Sequence, residues 1–244
     1  MNVFRFKKFE VVNERSAMKV NTDGVLLGAA MTVRATDRKL LDIGTGTGTI
    51  ALMGAQRLDE LAPGDYSVDA IDLDQVSIEE AQLNFSRSPW GNFMQACHAS
   101  LDDFSLSLGE DVRYDLIFSN PPYFEDSLLA PVERRSNARH TSTGLSYREL
   151  LDFAAARLSS DGRISIVLPA EQEQALCRHA RMNGLNLFRI LRIRTVERKM
   201  PGRIVAEFSR SRCEALEEEL LTILNEGKYT QEYLSLTHDF YLFA

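Results

Sequence analysis

The most constraining feature of this chain is a glycine-spaced corner at the end of an apolar run. Lys39-Leu40-Leu41-Asp42-Ile43 leads directly into Gly44-Thr45-Gly46-Thr47-Gly48-Thr49. A short apolar run that stops at glycine reads as a buried strand, and Thr49 to Leu58 has helical content, so a helix follows the corner. In such a unit a ligand approaches the backbone at the strand's carboxyl end, where side chains would block it. Gly44 and Gly46 allow the tight turn and its unusual dihedrals. Gly48 lets the helix pack close to the strand. The spacing is G-x-G-x-G, and an acid, Asp42, precedes it. Amides at a helix start favour anions such as pyrophosphate. A carboxylate beside the turn suits instead a ligand with a cationic aminoacyl group. A nicotinamide or flavin dinucleotide and a ligand-free glycine turn are the alternatives.

Downstream, apolar runs and helical patterns alternate. Ser67 to Asp72 reads as a second strand, Asn92 to Cys97 as a weaker third, Tyr114 to Ser119 as a fourth and Arg163 to Leu168 as a fifth. Helices are expected over Gln75 to Phe85, with Val76, Ile78, Ala81, Leu83 and Phe85 inward, over Tyr147 to Leu158, and over Glu171 to Met182. Asp161-Gly162 reads as a turn. Leu185 to Val196 and Ile204 to Ser209 form two more strands, joined through Pro201-Gly202 with no helix between them. The alternation implies an α/β, Rossmann-like fold with a seven-stranded, mostly parallel sheet and helices on both faces. The last two strands should pair antiparallel at one edge. No repeat or long linker interrupts the chain, which reads as one domain over residues 1–244, with 1–35 as an N-terminal extension or cap. Asp72, at the second strand's end, can accept both hydroxyls of a ribose, or it is a solvated strand end or a helix N-cap. Leu73 beside it is a candidate for packing an adenine ring.

Asn120-Pro121-Pro122-Tyr123 ends the fourth strand. In a doubly wound sheet the fourth strand lies beside the first, so this turn faces the pocket of the glycine corner. The prolines stiffen the turn and confine Asn120 to extended conformations. The Asn120 side-chain oxygen and the Pro121 carbonyl then offer two neighbouring acceptors, which match the two hydrogens of an –NH2 group. Tyr123 offers a face for stacking on the planar ring that bears the amine. Taken alone, Asn-Pro-Pro is also a common breaker sequence.

Composition removes several classes. No run of 18 uncharged apolar residues occurs, so no transmembrane helix is expected. Met1 to Glu10 is basic and aromatic without an apolar core, unlike a secretion signal. Cys97, Cys177 and Cys213 are odd in number and unpaired by spacing, and the four histidines are dispersed, which points to reduced thiols in a cytoplasmic protein without bound metal. A net charge of −7 argues against a uniformly basic nucleic-acid binder. Three local basic groups stand out nonetheless: Arg5, Lys7 and Lys8 among Phe4, Phe6 and Phe9; Arg134, Arg135 and Arg139; and Arg189, Arg192, Arg194, Arg198, Lys199 and Arg203 against only Glu197. If they converge they form a phosphate-binding rim; otherwise they are solvated strand edges and loops.

With these residues together, the chain resembles class I Rossmann-like methyltransferases of the amino-methylating branch, and within it the bacterial tRNA1(Val) (adenine-37)-N6-methyltransferase family. Phe6-Lys7-Lys8-Phe9, Met18 to Gly28, Asp42 to Gly48, Asn120 to Tyr123 and Phe240-Tyr241-Leu242-Phe243 carry the resemblance. The Asn-Pro-Pro-Tyr motif is shared with DNA adenine, rRNA guanine and protein glutamine methyltransferases; the N- and C-terminal segments narrow it. The resemblance implies S-adenosylmethionine as cofactor and N6 of an adenine in the tRNA anticodon loop as acceptor, with no metal. It implies Asn120, Pro121, Pro122 and Tyr123 as the catalytic turn. Cofactor contacts are implied for Asp42, Gly44, Thr45, Gly46, Gly48, Asp72, Leu73 and Asn120, with Lys19, Thr22 and Asp23 over the methionine end. Thr22 or Asp23 could equally be a helix N-cap. Relatives carry an acid after the third strand for the adenine amine; here Ala99-Ser100-Leu101 stands there, leaving Ser100, Leu101 or Asp102. The base must leave its stack to reach Asn120, which favours a loop nucleotide. An rRNA guanine-N2 or protein glutamine methyltransferase and a catalytically silent S-adenosylmethionine-binding protein remain as alternatives.

Overall fold

The computed structural model describes residues 2–122 and 145–244. Strands β1 (Val3–Arg5) and β2 (Glu10–Val12) form a separate antiparallel hairpin. Nine further strands make one sheet: β3 (Lys39–Ile43), β4 (Ser67–Asp72), β5 (Met94–His98), β6 (Tyr114–Ser119), β7 (Leu158–Pro169), β8 (Asn186–Val196), β9 (Arg203–Ser209), β10 (Glu217–Asn225) and β11 (Lys228–Tyr229). Their order is β11-β10-β8-β9-β7-β6-β3-β4-β5. The described helices are α1 (Thr22–Ala30), α2 (Thr49–Leu61), α3 (Gln75–Arg87), α4 (Leu101–Ser107), α5 (Tyr147–Arg157), α6 (Glu173–Met182) and α7 (Gln231–Thr237).

Alternation along the strands builds two cores. Leu40, Val68, Leu116, Phe118, Val167, Leu191 and Val205 point to one face, covered by α1, α2, α3 and α7. Leu41, Ile43, Ile71, Ile117, Ile164, Ile166, Ile190 and Phe208 point to the other, covered by α4, α5 and α6. Burying each such side chain contributes about 1.5–3 kcal/mol. A one-residue slip in any central strand would exchange its two sets, so the register is firmly set.

The α/β class, the helices on both faces and the adjacency of β3 and β6 agree with the pattern of the sequence. The strand count does not: the sheet has nine strands rather than seven. The antiparallel pair of β8 and β9 is not at an edge either. β9 lies inside the sheet, antiparallel to both β7 and β8, and β10 and β11 continue beyond β8. The strand β10 is hidden in the sequence because it opens Glu217-Glu218-Glu219 and shows no apolar alternation there. Its acids are drawn in by Arg189 and Arg192 of β8. Asp161-Gly162 is not a turn but part of β7, where the register with β6 moves from Tyr114↔Leu158 to Leu116↔Arg163. A Cβ on Gly162 would stand 2.7 Å from the Tyr114 carbonyl oxygen, so glycine serves a close backbone approach. On α3 the expected inward Leu83 is exposed, and Ser77, Glu80 and Asn84 are buried instead. Among the described residues no helix is long and apolar enough to cross a membrane.

A buried ion pair holds the connection between α1 and β3 against the sheet. Arg163 and Asp37 are each 3% exposed or less at their side chains and share two hydrogen bonds of 2.9 and 2.6 Å. Arg163 also donates to the Thr32 carbonyl through Nε at 2.8 Å. Removing one member leaves the other charge buried without compensation. Arg163→Met is expected to lower the unfolding free energy by about 3–5 kcal/mol. Urea denaturation checks it; a loss under about 1 kcal/mol would mean that the Asp37 charge is relieved by other groups.

Candidate active site

The glycine corner works as a corner because three of its residues take left-handed dihedrals. Gly44, Gly46 and Gly48 have φ of 73°, 55° and 79°, values that other L-residues adopt at a steric cost. Gly48 also sits where a Cβ would come within 2.5 Å of the Phe85 ring, so its absence lets α3 close on the corner. The corner is tied to the next strand: the Gly44 and Thr45 amides donate to the Ile71 carbonyl at 2.8 and 3.0 Å. The Gly46 amide donates to Asp72 Oδ2 at 2.8 Å.

Asp42 lies fully buried beneath the corner. Its Oδ2 accepts from Thr45 Oγ1 at 2.7 Å and from the Ala51 amide at 3.2 Å, while Oδ1 has no hydrogen-bond partner among the described residues. Burial pushes its carboxyl up to about 7, partly offset by those two hydrogen bonds and reinforced by Asp72 nearby. Asp72 is not the N-cap of the helix that follows. Asp74 is, accepting from the Val76 and Ser77 amides. Besides Gly46, Asp72 binds the Asp74 amide through Oδ1 at 2.9 Å; each carboxylate oxygen keeps a lone pair, so ribose hydroxyls can still be accepted. Leu73 next to it is 60% exposed.

His98, which the sequence reading passed over, is opposite Asp72 at the end of β5 and places its Nε2 2.9 Å from the Leu73 carbonyl oxygen. Only the sheet register could reveal it, because the residue has no motif around it. Ser100 is the N-cap of α4: its hydroxyl accepts from the Asp103 amide and donates to Asp103 Oδ2 at 2.7 Å. Its proton is therefore committed within the cap. Leu101 is half-buried and Asp102 exposed in the first turn.

The end of β6 is drawn to the same place. Phe118 pairs with Asp42, and Ser119 Oγ donates to the Ile43 carbonyl at 2.7 Å. Asn120, 7% exposed, and buried Pro121 follow directly, with half-buried Pro122 after them. The Asn-Pro-Pro turn and the glycine corner thus leave adjacent, parallel strands on one rim. Tyr123, Arg134, Arg135 and Arg139 lie outside the described residues.

The N-terminal segment crosses this rim. Met18 comes within 4.0 Å of where a Cβ on Gly46 would be. The cap of α1 is Asn21, whose Oδ1 accepts from the Gly24 amide at 2.9 Å, rather than Thr22 or Asp23. Thr22 is exposed, Lys19 donates to the Glu14 carbonyl at 2.7 Å, and Asp23 pairs with Arg203 at 2.9 Å.

The described basic residues do not converge. Arg189 binds buried Glu207 and Glu219, Arg192 binds Glu173 and Glu218, and Arg194 binds Thr222 and the Glu197 carbonyl. Acids remote in sequence therefore neutralise Arg189 and Arg192 of the strip that looked unopposed. Arg5 pairs with Glu10, Lys8 with Glu60, and Lys7 with the carbonyls of His238 and Ala244. Glu60 is at the far end of α2 from the corner, so this group faces away from the rim. Arg198 and Lys199, exposed in the turn between β8 and β9, stand on the side of the rim, since β9 begins level with Pro169 at the end of β7 and β8 runs three residues past that level to Val196.

The methyltransferase small domain family model matches residues 15–179. A tRNA1(Val) (adenine(37)-N6)-methyltransferase of Parabacteroides distasonis is 41% identical over 241 residues, covering 98% of this chain and 97% of that protein. Its counterpart in Salmonella enteritidis is 39% identical, covering 99% and 96%. Among solved structures, a predicted O-methyltransferase of Agrobacterium tumefaciens superposes with a TM-score of 0.63 at 18% identity, covering 89% of this chain and 96% of that one. A type I restriction-modification methyltransferase subunit of Streptococcus thermophilus gives 0.61 at 14%, covering 91% and 52%. The two structures show a shared fold.

The buried state of Asp42 has a consequence for stability. The unfolded chain loses this proton near the ordinary value of 3.8, whereas the fold holds it up to about 7. The folded state therefore binds more protons than the unfolded state across that window, so this residue's contribution to stability falls as pH rises through it. Asp42→Asn is expected to flatten the decline of unfolding free energy between pH 5 and 7.5, measured by urea denaturation. An unchanged slope would show that Asp42 titrates normally.

Proposed function

The chain belongs to the methyltransferase small domain family and, along nearly its whole length, to the family of tRNA1(Val) (adenine(37)-N6)-methyltransferases; on that premise we propose that it methylates N6 of adenine 37 in the anticodon loop of tRNA1(Val). The cofactor is S-adenosylmethionine, which when bound supplies an electrophilic methyl on a sulfonium. The corner suits it. Buried Asp42 keeps a carboxyl oxygen with no partner among the described residues, as a cationic aminoacyl group requires. Asp72 retains acceptor capacity for ribose hydroxyls, and exposed Leu73 offers an apolar shelf for the adenine.

An exocyclic adenine amine is a weak nucleophile because its lone pair is delocalised into the ring. The Asn120 side-chain oxygen and the Pro121 carbonyl accept its two hydrogens out of the ring plane. That favours a pyramidal nitrogen whose lone pair can be aimed at the methyl. The same oxygens stabilise the positive charge that grows on nitrogen, so they bind the transition state better than the ground state. Asn120 is no base; the extra proton leaves to solvent after transfer. Tyr123 stacks on the flipped base. The observation that carries this reading is the meeting of two strand ends: the Ser119 hydroxyl on the Ile43 carbonyl at 2.7 Å sets Asn120 beside the glycine corner.

For the RNA, the turn carrying Arg198 and Lys199 is the best supported of the basic groups, because it is exposed at that rim. Arg203, paired with Asp23, stands at its base. The internal pairing of Arg192 weakens its part of the β8 strip, and the remoteness of Lys8 weakens the N-terminal group, while Arg134, Arg135 and Arg139 lie outside the described residues.

Asn120→Ala is expected to slow methyl transfer to a tRNA1(Val) transcript by about 100-fold or more, with cofactor affinity by calorimetry nearly unchanged. Wild-type transfer should vanish on a transcript with guanosine at position 37. Equal losses of transfer and cofactor binding in the variant would make the turn structural; full transfer to the guanosine transcript would remove adenine 37 as the acceptor. The double variant Arg198→Glu, Lys199→Glu should weaken tRNA binding and reduce its salt slope by about 2. An unaltered slope would take this turn out of the RNA interface.

A further inference from the structure

One face of α3 is buried and polar. Ser77, Glu80 and Asn84 recur at helical spacing and are 3%, 2% and 1% exposed. A carboxylate so placed is costly unless its oxygens are occupied. Glu80 accepts three successive backbone amides, from Glu14, Arg15 and Ser16, at 3.0, 2.6 and 2.8 Å. Ser77 Oγ bonds Ser16 Oγ at 2.8 Å. Asn84 Oδ1 accepts from the Val12 amide at 2.7 Å, and its Nδ2 donates to the carbonyls of Val12 and Thr47 at 3.1 and 2.9 Å. Thr47 belongs to the glycine corner. Asn84 therefore joins three things at once: the helix, the N-terminal segment and the corner.

Residues 13–21 form no helix or strand. This strap runs up α3, passes over Gly46 at Met18 and enters α1. Within it the Val20 amide donates to Asn13 Oδ1 at 3.2 Å and Lys19 reaches back to Glu14. Its ties to the body of the protein are concentrated on α3, and three of them converge on one carboxylate. Hydrogen bonds to an ionised acceptor are the strong ones.

We propose that Ser77, Glu80 and Asn84 are positioning residues that latch Val12 and the strap of residues 13–21 over the glycine corner and so set how long the cofactor stays bound. The proposal rests on the reading of that corner as the S-adenosylmethionine site. The closed strap covers the corner from above. Weakening the latch raises the population of strap-open molecules, and release speeds up in proportion.

Glu80→Gln keeps the shape of the side chain but turns an –NH2 toward one of the strap amides. Ser16→Ala removes the hydroxyl contacts with Ser77 Oγ at 2.8 Å and with the Met18 carbonyl at 3.2 Å and tests the strap from its own side, without touching the core of α3. Hydrogen exchange of the amides of residues 14–16, followed without cofactor, reads the strap directly. Stopped-flow release of S-adenosylmethionine reads residence. Both variants should exchange faster at 14–16. Release should quicken by about ten-fold in Glu80→Gln and about three-fold in Ser16→Ala, with KM for the cofactor rising more than kcat changes. Faster exchange with wild-type release rates would overturn the role in retention. Wild-type exchange in both variants would dispose of the latch itself. If the wild-type chain binds no S-adenosylmethionine, the reading of the corner fails first, and the retention proposal falls with it.

Discussion

The meeting of three strand ends governs this molecule. The glycine corner after β3 has little side-chain bulk of its own, so its shape comes from bonds to its neighbours. Two amides lean on the Ile71 carbonyl and a third on the Asp72 carboxylate, both at the end of β4. On the other side Ser119 of β6 holds the Ile43 carbonyl. Parallel pairing makes this possible, because it brings the carboxyl ends of all three strands to one rim. The corner and the Asn-Pro-Pro turn are then adjacent because the strands that carry them are. On the proposed reading, cofactor and base are aligned because the sheet has already aligned the backbones of the corner and the turn.

Buried charge is the second organising device, and each instance manages a stretch of irregular backbone. Asp42 braces the corner from below. Asp37 and Arg163 fix the segment leading into β3. Glu207, on the interior strand β9, accepts from the Thr32 amide and hydroxyl and from Arg189, securing the end of α1. Glu80 gathers the N-terminal strap. In each case a carboxylate accepts backbone or guanidinium donors that would otherwise be buried unpaired, which is the condition under which burying the charge is tolerable. Irregular segments thereby reach positions over the rim that helices and strands could not occupy.

The acidic net charge and an RNA substrate are compatible because charge is distributed by position. Arg189 and Arg192 of β8 face acids from α6 and β10 and serve to hold the sheet's far half together. The lysines of the N-terminal hairpin fasten the C-terminal residues and α2. Among the described residues, what remains exposed at the rim is a short turn, at the place where the anticodon loop is proposed to dock.

Much of this was legible in the chain itself. Leu40 to Gly48 fixed a strand, a corner and a helix because apolar periodicity and glycine dihedrals are local properties. Asn120 to Pro122 marked the second half of the candidate site for the same reason: proline restricts its neighbour wherever it stands. The α/β alternation followed from the period of each segment. Other features were decided only by the tertiary structure. The role of Arg192 depends on Glu173 and Glu218, and that of Glu80 on amides some 65 positions away; no window of sequence contains both partners. The strand β10 exists because β8 offers it arginines, and His98 borders the site because β5 lies in register with β4. Local backbone preference is written residue by residue, whereas the pairing of charges and the neighbours of an edge strand are properties of the folded arrangement, since electrostatic and hydrogen-bond partners are chosen by distance in space and not along the chain.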